Sequence, residues 1–159
     1  MTIEELYRRH GHLVFRRARW LLGSDDDARD VTQDVFLQMH AQGFRFAGRS
    51  SIVTYLYSVT THACLNRLRT ARTRARLLGE EAARWARTAN PTTEARTLAR
   101  EVLAALSEDD AALAVYLYCD ELSHAEIGQL LGCSGRHVWN LAQRLAQRIK
   151  KIEPERDCA

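Results

Sequence analysis

Between Leu122 and Arg148 the chain reads LSHAEIGQLLGCSGRHVWNLAQRLAQR, two helix starts separated by one tight turn. Ser123, with Glu126 three residues on, has the form of a capping box. Ile127, Leu130 and Leu131 give the first helix an apolar face, and Gly132 is a residue that tolerates positive φ just past a helix end. Ser134 is placed to cap a second helix. Its apolar stripe, Val138, Leu141, Leu145, Ile149 and Ile152, advances by steps of three and four. Two short helices, a glycine turn and a basic second helix form the pattern of a helix-turn-helix, which lays its second helix in a DNA major groove. The competing interpretation is an ordinary helical hairpin in an all-α core.

The rest of the chain also favours helix. Its 159 residues include only two prolines and eight glycines, and 46% are apolar, enough for one large domain or two small ones. A first helix is expected from about Thr2 to Leu22, with Arg8, Arg9, Arg16 and Arg19 off its apolar stripe. Ser24 and the acidic run Asp25, Asp26 and Asp27 suit the start of a second. That helix should bury Ala28, Val31, Val35 and Met39 and show Asp30, Gln33, Asp34 and Leu37 on its other side. Gly43 precedes the loop FRFAGRSS, which contains Gly48. A third helix is expected from near Ser51 to about Arg72, burying Leu56, Val59 and Ala63. Tyr55, Ser58, His62, Asn66 and Arg69 share another of its stripes. Residues 73–93 read as a connector containing a break at Asn90-Pro91. Two further helices precede the helix-turn-helix. The fold class expected is all-α: two small helical modules, 1–72 and 94–153, joined by that connector, the second ending in the helix-turn-helix.

Net charge is +3 but unevenly spread. Residues 1–76 hold 13 basic and 7 acidic side chains, 77–135 hold 4 and 10, and 136–159 hold 6 and 3. Local basic segments of this kind are the footprint of nucleic-acid contact, although solvated helix faces have the same composition. The four cysteines form no C-x-x-C pair, and buried free thiols are expected. The histidines make no metal-ligand spacing with them, so neither metal nor cofactor is expected. No Gly-rich phosphate loop or hydrolase motif supports an enzyme. No apolar run approaches the roughly 18 residues of a membrane span, and MTIEELYRRH lacks the apolar core of a signal peptide. No membrane insertion and a cytoplasmic location are expected.

Three segments, in order, resemble extracytoplasmic-function sigma factors of bacterial RNA polymerase. Asp27 to Phe36 (DARDVTQDVF) resembles the family's D-x-x-D-x-x-Q-x-V-F helix. Phe46 to Arg69 resembles F-x-G-x-S-x-x-x-T-W-L-Y-x-I-A-x-N-x-x-x-D-x-x-R, with Tyr55 at the Trp, Thr60-Thr61-His62 at an A-R-N and Asn66 at the Asp. Leu122 to Ser134 resembles L-S-x-x-E-I-A-x-x-L-G-x-S. The resemblance implies a promoter-specificity subunit, not an enzyme, whose partners are core RNA polymerase, promoter DNA and a cognate anti-sigma protein. It assigns polymerase docking to Asp30, Gln33, Asp34 and Leu37. It assigns the minus-ten element to Phe44, Arg45, Phe46, Arg49, Tyr55, Ser58, His62, Asn66 and Arg69, with Arg67, Arg72 and Arg74 on phosphates. Phe46 reads equally well as a core plug. The minus-thirty-five element falls to Ser134, Arg136, His137, Trp139, Asn140, Gln143 and Arg144, with Arg148 and Lys150 on phosphates. The family's common T-V-K-S-R-L stands here as His137 to Ala142, so its basic pair is gone and Trp139 is new. The alternative to a sigma subunit is a stand-alone helix-turn-helix regulator that needs no polymerase. A third reading is a degenerate sigma-like protein that only binds partners.

Overall fold

The computed structural model describes residues 2–44, 51–79 and 91–152. Its elements are α1 (Ile3–Leu22), α2 (Asp25–Ala41), α3 (Ile52–Leu78), α4 (Pro91–Ala105), α5 (Glu108–Ala114) running into a π-turn (Val115–Cys119), α6 (His124–Leu131) and α7 (Gly135–Ile152). There is no strand among the described residues, as the sequence predicts. The chain divides into two compact units, Met1–Arg67 and Leu68–Ala159, the boundary falling inside α3.

In the first unit, α1 and α2 form a helical hairpin. Thr2 and Glu5 close a reciprocal capping box on α1: the Glu5 amide donates to Thr2 Oγ1 at 3.2 Å, and the Thr2 amide to Glu5 Oε2 at 2.9 Å. Gly23 ends α1 at φ 74, and Ser24 Oγ accepts the Asp27 amide at 3.3 Å to begin α2. Tyr7, near one end of the hairpin, meets Phe36 edge to face at 5.0 Å. The buried apolar side chains of this unit are Leu6, Val14, Ala18 and Leu21 on α1, Ala28, Val31, Val35, Phe36 and Met39 on α2, and Leu56, Cys64 and Leu65 on α3.

Two expectations fail here. The buried stripe of α3 is Leu56, Thr60, Thr61, Cys64 and Leu65, whereas Val59 and Ala63 are only half-buried. Threonine can be buried because its hydroxyl bonds back one turn, Thr60 to the Leu56 carbonyl at 2.6 Å and Thr61 to that of Tyr57 at 2.8 Å. The third helix also runs to Leu78, six residues into the stretch read as connector, and α4 starts at Pro91.

The second unit packs Ala104, Leu106, Ala111 to Tyr116, Ile127, Val138 and Leu145. Ser107 caps α5, accepting the Asp110 amide at 3.3 Å. After the π-turn the Leu122 amide bonds the Tyr116 carbonyl at 2.9 Å, and Glu121 takes φ 52 to make the bend into α6.

Candidate nucleic-acid interface

The turn between α6 and α7 is built as its residues require. The Ser123 amide and hydroxyl donate to Glu126 Oε2 at 2.8 and 2.7 Å, and the Glu126 amide returns a bond to Ser123 Oγ at 3.3 Å. The Ser123 hydroxyl, then its amide, holds the Glu126 carboxyl below its ordinary range. Gly132 ends α6 at φ 70, and the Cys133 amide donates back to the Gly128 carbonyl at 2.9 Å. A Cβ on Gly128 would stand 2.6 Å from the Cys133 carbonyl oxygen, so the turn lies directly on a glycine hydrogen. Ser134 Oγ accepts the His137 amide at 3.2 Å and starts α7.

Ile127, Val138 and Leu145 are fully buried and fix α6 against α7. The opposite side of α7 is exposed. Ser134, Arg136, His137, Trp139, Asn140, Gln143 and Arg144 all reach solvent there, Trp139 with half its surface. The 18 residues of α7 include three arginines and two lysines and no carboxylate. Gln147, four residues past Gln143, continues the line through Arg136, Asn140 and Gln143; sequence reading passed over it, although the same spacing marks it. Arg148, expected on phosphate, has its guanidinium paired with Asp110 of α5, an acidic residue in that helix's first turn.

In the first unit, Ser51 caps α3 by accepting the Thr54 amide at 3.0 Å. Phe44 lies stacked on Tyr55, with centroids 5.0 Å apart and planes at 28°. Tyr55, Ser58, His62 and Arg69 are half-exposed and Asn66 is exposed, so the expected stripe faces outward. Arg69 lies past the boundary, in the second unit, where it is 3.8 Å from Glu108. Arg45, Phe46 and Arg49 lie outside the described residues. Arg72 and Arg74 are exposed. Arg76 is exposed too, and lies on the Arg69–Arg72 side of the helix by the three-and-four rule.

Arg67, expected on phosphate, is held internally. Its Nε and Nη2 donate to Asp27 Oδ1 at 3.1 and 2.8 Å, and Nη2 also donates to Asp30 Oδ2 at 3.1 Å. The hydrogen bond to Asp27 is the main cause raising the Arg67 pKa. Thr60 and Thr61, at the first two positions of the A-R-N, are buried. Thr61 accepts from Arg17 Nε and Nη2 at 3.3 and 3.2 Å. The Arg17 guanidinium also lies 3.9 Å from the Tyr57 ring centroid and 5.5 Å from that of Trp20. Nothing in the sequence pattern singled out this buried arginine.

The outward face of α2 carries Asp30, Gln33, Asp34 and Leu37, all exposed, with Leu37 showing 64% of its surface. A row of carboxylates with one apolar anchor suits a basic partner helix. Of the cysteines among the described residues, Cys64 is buried and Cys133 partly so, but Cys119 is exposed, contrary to the expectation of buried thiols; Cys158 lies outside the described residues. Among the described residues there is no group of three histidine, cysteine, aspartate or glutamate side chains placed to hold a metal ion. No helix among them is long and apolar enough to cross a membrane.

Residues 6–74 match the family model of sigma-70 region 2. The chain is 32% identical over 71 residues to the ECF RNA polymerase sigma factor SigM of Mycobacterium tuberculosis, in both the Erdman and H37Rv strains. That similarity covers 45% of this chain and 36% of the relative, so the chain spans about a third of the length of the curated relatives it matches. Among solved structures it resembles the sigma factor RpoE of Bartonella quintana, determined in complex with the anti-sigma factor NepR. The TM-score is 0.48 at 14% identity, over 95% of this chain and 96% of that one.

Proposed function

We propose that this chain, whose residues 6–74 match the sigma-70 region 2 model, is a promoter-specificity subunit that binds core RNA polymerase and directs initiation at a specific set of promoters. The observation that carries this reading is the coincidence of the region 2 match with the two exposed faces of one unit, acidic on α2 and polar-aromatic on α3. A helix-turn-helix with an acid-free second helix follows on the same chain. We place it in the cytoplasm, where core polymerase and promoter DNA are. The chain supplies recognition, and RNA synthesis belongs to the polymerase. A cognate anti-sigma protein that masks these faces is the further partner that the family resemblance implies.

Each face has a physical task in this reading. Asp30, Gln33, Asp34 and Leu37 dock α2 on a basic helix of the polymerase. Carboxylates bring the partner into register, and Leu37 supplies apolar contact. Phe44, Tyr55, Ser58, His62, Asn66 and Arg69, with the loop residues Arg45, Phe46 and Arg49, take the minus-ten element. Extracting a base from the stack costs a few kcal/mol. Stacking on an aromatic returns about 1–3 kcal/mol per base, and the Phe44–Tyr55 pair holds two such rings at the foot of the loop. Ser134, Arg136, His137, Trp139, Asn140, Gln143 and Arg144 meet the minus-thirty-five element. Arg136 and Asn140 lie one turn apart and face bases, an arginine suiting guanine and an asparagine adenine.

Docking is tested by competition for core polymerase. Asp34→Arg combined with Leu37→Glu leaves the α3 contact intact, whereas Asp30→Arg would set a second guanidinium against Arg67. The double variant should lose affinity by tenfold or more with unchanged helix content. Normal competition by a folded double variant would mean that this face is only solvated.

A further inference from the structure

Trp139 is the one large apolar side chain on the outward stripe of α7. It stands three residues after Arg136 and four before Gln143, so the three share a face. Val138 beside it is fully buried, and Trp139 is half-exposed. The indole is therefore not among the buried side chains that fix α7, and half its surface is open to a partner. Its place is the second turn of a helix that begins at Gly135, and the early turns of such a helix are the ones that reach base edges. The surroundings select the partner. Every charged side chain of α7 is basic and none is acidic, which fits a polyanion and opposes a basic protein surface. In a major groove the apolar feature that a base pair displays is the C5 methyl of thymine, and apolar side chains read it by contact.

Resting on the proposed DNA role of α7, we propose that Trp139 is a specificity-determining residue that recognises a thymine methyl in the upstream promoter element. It supplies an apolar reading between the polar readings of Arg136 and Gln143. Removing the methyl removes one buried carbon, and about a fourfold loss follows.

The test uses the full chain with core polymerase. The wild-type holoenzyme first selects an upstream element from a randomised duplex library by transcription. Thymines of the selected duplex are then replaced one at a time by deoxyuridine, which keeps every hydrogen-bonding group and deletes only the methyl. The expected result is a loss of three- to fivefold in open-complex formation at one or two thymines. Trp139→Ala should show the same loss on the unmodified duplex and no further loss with deoxyuridine. Trp139→Leu, which keeps an apolar side chain, should retain part of the methyl sensitivity. A wild-type holoenzyme indifferent to deoxyuridine at every position overturns the proposal and leaves the sigma reading standing. So does a Trp139→Ala variant that remains as sensitive as wild type, and the exposed indole then belongs to a protein contact. If the wild-type holoenzyme selects no element, both the sigma reading and this proposal fall.

Discussion

Arg67 and Asp27 are joined by two bonds onto one oxygen, Nε and Nη2 of the guanidinium reaching Oδ1 at 3.1 and 2.8 Å across forty residues of sequence. The pair ties α3 to the first turn of α2, and Asp30 shares the same guanidinium. Both side chains are partly exposed, so solvent screens the pair and it contributes about 1 kcal/mol or less. Arg67→Gln and Asp27→Asn should each lower stability by about that amount, and the double variant by little more than either alone. Urea unfolding of the four proteins measures this, and strict additivity would mean that the pair is not coupled.

Gly128 and Gly11 should respond in opposite directions to alanine. A Cβ at Gly128 would meet the Cys133 carbonyl at 2.6 Å, and neither is free to move without opening the turn. Gly128→Ala should cost about 1–3 kcal/mol and weaken DNA binding with it. At Gly11 the new methyl would only touch the Tyr7 ring at 3.6 Å. Inside a helix this exchange should stabilise by about 0.5–1 kcal/mol. Thermal unfolding of the two variants decides the matter.

Much of this architecture is legible in the sequence, because caps and turns are local. Ser24, Ser107, Ser123 and Ser134 accept the amides that their positions predict, and Gly23 and Gly132 take positive φ. What escapes is whatever depends on a partner distant in sequence. Arg17 and Arg67 look alike in a basic run, yet one is buried against Thr61 and Tyr57 and the other is held by Asp27. The pairing of Arg148 with Asp110 is likewise invisible in the pattern of α7 alone. Thr60 and Thr61 read as polar positions because their bonds to the preceding turn are invisible to periodicity. The outward faces of α2 and α7 are legible, since burial of the opposite stripe leaves no other side for them.

The helix-turn-helix should lose part of its stability in acid through Glu126. Its carboxyl is held below its ordinary value of 4.5 by Ser123. The contribution is therefore complete above the ordinary value and lost as pH falls through the lowered one. Glu126→Gln should unfold at a lower temperature than wild type at neutral pH, and the difference should vanish on acidification. A difference that stays constant with pH would mean that the ionised carboxylate is not what Ser123 stabilises.

The two kinds of thiol should separate cleanly. Burial pushes the Cys64 thiol up to about 12, so almost no thiolate is present at neutral pH. Cys119 is exposed. A thiol-specific reagent should label Cys119 in the native protein and reach Cys64 only after unfolding. Native labelling that drops in a folded Cys64→Ser variant would show that the first unit opens readily.

The most direct measurement of the central claim is run-off transcription by purified core RNA polymerase on a promoter-fragment library, with and without the full chain. The account predicts transcripts with defined start sites that appear only when the chain is added, and that disappear with the Asp34→Arg, Leu37→Glu double variant. If the folded wild-type chain leaves transcription at the level of core polymerase alone on every fragment, the chain is not a promoter-specificity subunit.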